Sequence, residues 1–336
     1  ASTEIYTLSL HDALPISFAV SWVVSMTGTL GLLSSGGSVP DPAGAQAAQP
    51  APAVESAQPA AGAEADRPAP GTGTAAPAGA EPADELIVAY YGHPKSPYMG
   101  IVGRLSMEEL VLRVKATAAD YQALVPGRRV VPAIYLIYGT CQPEGRIGYM
   151  SDAMVLSYIT YAAERGVLVF LDHQIGAGSL QAAADRLLPY LRFPNVHIAF
   201  DFEWRTARPM EEIGFVRGDE LNWLQGYVRD RLAGEGISGR KYVAFHQFKA
   251  SMLREPEKIV APSAQVELIH CTSGWGPPRL KAATHAFNAG ITQIPTKGFK
   301  LWYYYSDKPG IHYDDPLMKP AEVLGLSPQP KLIIYQ

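Results

Sequence analysis

Residues 196–204, VHIAFDFEW, form an apolar run that ends in two carboxylates, Asp201 and Glu203, and a tryptophan. Continuous apolar runs of this length are typical of parallel β-strands that are buried on both faces. Because side chains alternate along a strand, Asp201 and Glu203 are predicted to point the same way at its carboxyl end. Open α/β sheets and β/α barrels keep their functional residues at such ends. This stretch therefore predicts a buried parallel strand followed by candidate functional carboxylates.

Strand-like and helix-like segments alternate from Glu85 onward. The predicted strands are Leu86–Tyr91, Val130–Ile137, Val167–Asp172, Val196–Asp201, Tyr242–His246, Val266–Cys271, Phe299–Tyr304 and Leu332–Tyr335. The predicted helices are Met107–Ala123, Asp152–Arg165, Leu180–Leu191, Leu221–Ala233, Lys281–Ala289 and Pro320–Leu324, the first four of them with apolar residues at i, i+3, i+4 spacing. Ser106, Ser151 and Ser179 are predicted to cap the first three helices.

Eight strands over roughly 250 residues are typical of a (β/α)8 barrel. A doubly wound open sheet would also alternate strands and helices, but no Gly-rich phosphate-binding turn follows the first predicted strand. The predicted fold class is therefore α/β, a single TIM-like barrel that spans residues 85–336.

The segments before residue 85 are not expected to belong to the barrel. Residues 1–17 contain TEIYTLSLHDALPI, which resembles the in-frame translation of a short-read sequencing adapter, as a metagenomic assembly could introduce. Residues 18–38 contain an uncharged apolar run that is short for a membrane span and typical of a signal peptide. Residues 39–84 are almost entirely Ala, Pro, Gly, Glu and Gln, which predicts a disordered linker. The chain is thus expected to be secreted, and the linker could associate it with a cell surface.

Composition and missing motifs exclude several classes of function. The 336 residues carry a net charge of −4 and no long Lys/Arg run, which argues against nucleic acid as the main partner. Cys141 and Cys271 are too few for a disulfide scaffold, and they could be free core thiols or one bridge. The sequence contains no G-x-S-x-G, H-E-x-x-H or Walker A motif. No cofactor and no resident metal are predicted.

In a barrel, the carboxyl ends of all the strands meet at one mouth. The predicted strand ends bring together carboxylates, imidazoles, amides and aromatic rings: Tyr91, His93, Tyr138, Asp172, His173, Gln174, Asp201, Glu203, Trp204, His246, Gln247, His270, Trp275, Tyr303, Tyr305 and Asp307. Asp172 rather than its neighbour His173 is expected to point inward. Each side chain also has a purely structural interpretation: His93 could cap a turn, and His246 could be a core histidine.

Asp201-Phe202-Glu203 resembles the D-x-E at the end of strand four in chitinase-like glycoside hydrolases and in lysozyme-type muramidases. Only these three positions match, because Ala199 stands where the longer chitinase motif has another aspartate. The set YYGHP, FLDHQIG, FDFEW, FHQF and IIYQ, spread over most of residues 86–336, resembles uncharacterised secreted barrel proteins of actinobacteria. The resemblance implies a glycoside-hydrolase-like TIM barrel.

That resemblance implies a secreted glycoside hydrolase acting on a polysaccharide or cell-wall glycan by carboxylate acid–base catalysis. Glu203 would be the general acid, Asp201 would orient the substrate or stabilise the transition state, and Asp172 would be the alternative second carboxylate. His246 completes the candidate catalytic set. The candidate substrate-binding residues, which would hydrogen-bond or stack on sugar units, are Tyr91, His93, Trp204, Gln247, Trp275, Trp302, Tyr303 and Asp307.

Two other classes of function stay open from the sequence. A non-catalytic glycan- or cell-wall-binding barrel would keep the aromatic side chains without needing carboxylates of perturbed pKa. A metal-dependent hydrolase of an ester, amide or phosphodiester would use ligands drawn from Asp172, Asp201, Glu203, His246 and His270.

Overall fold

The computed structural model describes residues 85–260, 265–308, 310 and 312–336. The predictions for residues 1–17, 18–38 and 39–84 lie outside the described residues.

The described chain alternates strands and helices. The strands are β1 (Leu86–Gly92), β2 (Val130–Cys141), β3 (Ile147–Tyr149), β4 (Leu168–His173), β5 (Val196–Phe200), β6 (Val216–Arg217), β7 (Lys241–Gln247), β8 (Leu253–Arg254), β9 (Val266–Thr272), β10 (Lys297–Leu301) and β11 (Leu332–Tyr335). The helices are α1 (Met107–Leu124), α2 (Asp152–Ala163), α3 (Leu180–Leu187), α4 (Gly218–Gly234), α5 (Pro278–Ala289) and α6 (Pro320–Leu324).

Eight of these strands form a closed parallel barrel in the order β1-β11-β10-β9-β7-β5-β4-β2, and β1 pairs again with β2 to complete the ring. Ile87 marks the closure, because it is in register with Leu332 on one side and Val131 on the other. β3 adds an antiparallel strand to the end of β2, and β6 pairs with β8 apart from the barrel. The predicted TIM barrel is therefore confirmed.

The barrel strands are apolar on both faces, which explains why they form unbroken hydrophobic runs. On β1, Leu86 and Val88 pack in the layer shared with the helices, whereas Ile87 and Ala89 pack in a separate cluster inside the barrel. Inside, small and large side chains fill the space together: the Tyr135 ring stacks on Phe170 with centroids 5.2 Å apart, beside alanines of several strands. The interior is thus packed below the mouth.

Three helices begin at the predicted serine caps. The Ser106 hydroxyl accepts a hydrogen bond from the Glu109 backbone N–H, and the Glu109 carboxylate accepts one from the Ser106 N–H, which makes a capping box. Ser151 and Ser179 cap α2 and α3 in the same way, without the reciprocal bond.

Several predicted elements have other ends in the structure, and two of these differences have a visible physical cause. The seventh barrel strand, predicted over Phe299–Tyr304, is β10 and ends at Leu301, because the Trp302 N–H donates to the Asp314 carboxylate at 2.9 Å instead of to a strand. The helix predicted over Leu180–Leu191 ends at Leu187 and continues as a 3₁₀ turn that contains Pro189. Proline has no N–H to donate and favours the start of a turn.

Cys141 and Cys271 are both free thiols, which settles the alternative between thiols and a bridge. Burial raises the pKa of both thiol groups, so neither is a thiolate at neutral pH. Within the described ranges, no helix combines the length and the apolar character needed to cross a membrane.

Candidate active site

Three carboxylates from two neighbouring strands meet in the barrel mouth. Asp172 is near the end of β4, Asp201 directly follows β5, and Glu203 comes two residues later. The exposed fractions of the three residues are 0%, 5% and 8%. Burial of three acidic groups in one place is costly unless it serves a purpose, so this cluster is the strongest candidate for chemistry.

A capped turn, not a continuing strand, brings Glu203 beside Asp201. β5 ends at Phe200, and residues Phe202–Trp204 form a 3₁₀ turn. The Asp201 carboxylate accepts a hydrogen bond from the Glu203 backbone N–H at 3.3 Å and so caps this turn. The sequence analysis expected the two side chains to point the same way because side chains alternate along a strand. In the structure they lie close together because of the turn.

Asp172 is held by a chain of buried groups from four strands. The Tyr91 hydroxyl of β1 donates a hydrogen bond to Asp172 Oδ2 at 3.0 Å. His246 Nε2 of β7 lies 3.7 Å from the same oxygen and 3.0 Å from the Tyr135 hydroxyl of β2. Such a buried network fixes the orientation of its members.

Burial and charge set different ionisation states across the cluster. Burial, followed by the charges of Glu203 and Asp172, raises the pKa of Asp201 well above its usual range. Burial also raises the pKa of Asp172 to about 6, although Lys300 and the Tyr91 hydrogen bond act in the opposite direction. Burial and the Lys300 charge lower the pKa of His246. Burial thus favours the protonated form of Asp201 and the neutral form of His246, whereas Asp172 is ionised above a pH of about 6.

Lys300 is a site residue that the sequence reasoning missed. It lies on β10 with an exposed fraction of 3%, and its Nζ is 3.5 Å from the centroid of the Tyr91 ring. Burial lowers the Lys300 pKa to about 8, while Asp201 and Asp172 act to raise it. The sequence did contain an indication of this residue, because a lysine between Phe299 and Leu301 is unusual in a strand that is predicted to be buried.

The three predicted tryptophans have different surroundings. The Trp302 ring is buried at the mouth, with its Nε1–H donating to the Ser273 carbonyl at 2.9 Å and Lys300 Nζ 4.8 Å from its centroid. Trp204 ends the turn that begins at Asp201 and is half-buried. The Trp275 ring meets the His312 ring edge-on at 5.5 Å.

Four other predicted substrate-binding side chains have partners of their own. His93 Nδ1 accepts a hydrogen bond from the Lys95 N–H, so it stabilises a turn. Gln247 Oε1 lies 2.7 Å from His270 Nε2. The Tyr303 ring stacks on Tyr335 at 5.3 Å in the layer outside the strands, and exposed Asp307 pairs with Arg104 at 2.9 Å. The structure does not bring these four side chains to the carboxylates.

Asp172, and not His173, points into the barrel. The His173 ring packs against Gly139 and the Tyr149 ring, and neither of its nitrogens has a hydrogen-bond partner among the described residues. His270 also points away from the mouth, since its ring stacks on Phe245 in the outer layer at 4.8 Å.

In the part of the chain that the structure describes, no three His, Cys, Asp or Glu side chains are grouped so that they could hold a metal ion. The ligands considered for a metal-dependent hydrolase do not all face the barrel mouth. His270 lies outside the strands, away from Asp172, Asp201, Glu203 and His246. That alternative therefore has no metal site among these residues.

Comparison with known proteins gives similarity of fold only. No protein-family model matches the chain, and no curated protein matches it by sequence. Similar solved structures include a chitinase from Chromobacterium violaceum, with 12% identity and a TM-score of 0.36 over 65% of this chain and 69% of that chain. They also include the YdhT protein from Bacillus subtilis, with 9% identity and a TM-score of 0.39 over 76% and 81% of the two chains. The mannanase Man26 from Bacillus subtilis has 9% identity and a TM-score of 0.38 over 76% and 80%. These values are too low to bear on activity, and the barrel is established by the strand pairing of the chain itself.

Proposed function

We propose that this protein is a secreted glycoside hydrolase that cleaves a polysaccharide or cell-wall glycan with the carboxyl groups of the barrel mouth. Hydrolysis of a glycosidic bond needs a protonated carboxyl and an ionised carboxylate on either side of the bond. The observation that supports this function most is the pairing of Asp201, whose pKa is raised well above its usual range, with Asp172, which is ionised above a pH of about 6. Environments that push neighbouring carboxyl groups to different protonation states are typical of acid–base sites.

In this mechanism Glu203 protonates the glycosidic oxygen as the bond to the anomeric carbon breaks. Glu203 is suited to this step because it is the least buried of the three carboxyl groups. The proton on Asp201 then replaces the one that Glu203 has given up. Ionised Asp172 stabilises the positive charge of the oxocarbenium-like transition state. Water adds to the anomeric carbon and returns a proton to the carboxyl cluster.

The neighbouring groups would position the substrate. Tyr91 and neutral His246 hold Asp172 in one orientation. Half-buried Trp204 offers a flat apolar face on which a sugar ring can stack. The Trp302 ring, with an exposed fraction of 6%, lies beside Lys300.

Glu203→Gln tests the proposed general acid. Wild type and variant are incubated with a panel of bacterial and plant polysaccharides, and the released oligosaccharides are measured by mass spectrometry. A general acid contributes roughly 10²–10⁴-fold to the rate, so the variant is expected to lose at least about 100-fold in product release while still binding the polymer. Glu211→Gln, which changes an exposed carboxylate nearby in the chain, is the control and should retain activity. Equal product release from Glu203→Gln and wild type would rule out this role.

A non-catalytic glycan-binding barrel is the second candidate, and the complete burial of Asp172 favours it. This residue has an exposed fraction of 0%, and one carboxylate oxygen already accepts a hydrogen bond from Tyr91. A binding protein could use the carboxyl groups for structure and the aromatic rings for recognition. Retention of a polysaccharide by the folded wild type, with no product at any pH, would identify this function instead.

A further inference from the structure

Buried lysines are frequent in this barrel, and most of them have close partners. Lys281 Nζ lies 2.7 Å from the Asp314 carboxylate, and Lys331 Nζ lies 3.0 Å from Glu267. Lys241 donates to three backbone carbonyls, and Lys297 donates to two. These contacts offset the free energy of removing an ammonium group from water.

Lys300 and half-buried Lys308 are exceptions. Neither ammonium group forms a hydrogen bond or an ion pair with any residue that the structure describes. Both lie beside the same indole instead: Lys300 Nζ is 4.8 Å and Lys308 Nζ is 5.3 Å from the centroid of the Trp302 ring. A cation over an aromatic ring gains less free energy than a charge loses on burial.

Among the described residues, no negative charge around Lys308 compensates for its burial. Burial, followed by the charges of Lys300 and Arg104, lowers the Lys308 pKa to about 8. The nearby carboxylate, Asp307, is already paired with Arg104. On the remaining side is His312, whose own pKa is lowered to about 4 by burial and by Lys308. An anion beside Lys308 would meet this ammonium group directly, whereas Lys300 also faces the carboxyl groups of Asp201, Asp172 and Glu203.

We propose that Lys300, Lys308 and Trp302 form a subsite for an acidic sugar unit, one that carries a carboxylate or a sulfate group. The two ammonium groups would bind the anion of the sugar unit, and the Trp302 indole beside them would line the subsite. Ionised Asp172 repels an anion, so the acidic group would lie on the Lys308 side of the mouth. This inference rests on the proposed function, and it narrows the substrate to an acidic glycan.

The subsite is tested by calorimetric titration of the full chain carrying Glu203→Gln, which prevents cleavage during the measurement. The probes are oligogalacturonate, a sulfated galactan oligosaccharide and a neutral galactan oligosaccharide of equal length. At least one acidic probe is expected to bind about tenfold more tightly than the neutral probe. Adding Lys308→Met should weaken that acidic probe about tenfold, because one charge-assisted hydrogen bond is lost, and should leave the neutral probe unchanged.

Lys115→Met is the matched control, because it removes the same charge from an exposed position of α1. Lys308→Gln is a second variant of the subsite, and it should reproduce the effect of the methionine. Equal affinity for acidic and neutral probes, no binding of either acidic probe, or unchanged affinity in both Lys308 variants would overturn the subsite. The tighter of the two acidic probes identifies the anion as carboxylate or sulfate.

The outcomes separate this subsite from the proposed activity. Turnover of neutral glycans without binding of acidic ones would keep the glycosidase and overturn the acidic subsite. Binding of an acidic probe that depends on Lys308, with no cleavage of any polymer by the wild type, would establish the subsite and overturn the glycosidase.

Discussion

Asp172 shows how burial controls ionisation at the scale of a single residue. Its side chain is completely buried, and burial outweighs both Lys300 and the Tyr91 hydrogen bond in setting its pKa at about 6. An unfolded aspartate has a pKa of about 3.9. Because the folded pKa is the higher one, the contribution of Asp172 to stability is fully present below a pH of about 4. It is lost as the pH rises through about 6.

Asp172→Asn should therefore change how stability depends on pH. Between pH 4 and pH 8 the free energy of unfolding of the wild type should fall relative to that of the variant, because asparagine cannot ionise. Urea unfolding at several pH values measures this difference. Asp120→Asn alters an exposed side chain of α1 and should follow the wild type. Parallel curves for wild type and Asp172→Asn would contradict the raised pKa.

The site could be predicted residue by residue only in part. Asp201 and Glu203 stood out because two carboxylates follow an apolar run, and the structure does bring them together with Asp172 and His246. Lys300 could have been recognised from its place in a buried strand. Lys308 could not have been recognised from the sequence, because its position beside Trp302 depends on how the chain folds back after β10. Gln247 was expected at the mouth from its position at a strand end, but its side chain bonds to His270 outside the strands.

At the scale of elements, Asp314 ties the segment after β10 to the barrel. Its carboxylate accepts hydrogen bonds from the Trp302 and Gly276 N–H groups at 2.9 and 3.0 Å. It also pairs with Lys281 of α5, and both side chains have an exposed fraction of 0%. One aspartate thus joins β10, the segment after β9 and α5, and it holds the Trp302 backbone at the mouth.

Asp314→Ala should destabilise the protein by about 3–5 kcal/mol, because it leaves the Lys281 charge buried without its partner. Denaturant unfolding measures the change. The neighbouring Asp315 is exposed, so Asp315→Ala should alter the free energy of unfolding far less. Similar losses in both variants would show that the buried ion pair is not the cause.

The local sequence pattern was enough to predict most strands and helices, but not the residues at which they end. The predicted strands and helices were recovered because apolar periodicity and serine caps are local properties of the chain. The end of β10 was not predicted, because it is set by the hydrogen bond from Trp302 to Asp314, and these residues are separated in sequence. Such tertiary contacts leave no periodic signal.

At the scale of the whole molecule, every paired strand of the barrel lies within residues 85–336. A chain that starts at Glu85 is therefore expected to fold with the same circular-dichroism spectrum and melting temperature as the full chain. A chain that starts at His93 lacks β1, which leaves β2 and β11 without a shared partner, and it should not fold cooperatively. Failure of the chain from Glu85 to fold would mean that earlier residues belong to the domain.

The closed architecture was predictable from the number and spacing of the strands, whereas the choice of substrate was not. Eight apolar strands that alternate with helices have few ways to bury both faces, and a barrel is one of them. What the mouth recognises depends on a few side chains, such as Lys308 and Trp302, whose neighbours come from distant parts of the chain. Many chemistries share this fold for the same reason.

The pairing of β1 with β11 also bears on how the protein is made. β1 is the first barrel strand to leave the ribosome and β11 is the last. Until β11 has emerged, the nascent sheet has one open edge at β1 and another at the barrel strand made most recently, which is finally β10. Open strand edges attract other chains. Chaperone binding during synthesis would protect these edges, and it would be needed for almost the entire time that the barrel is being translated.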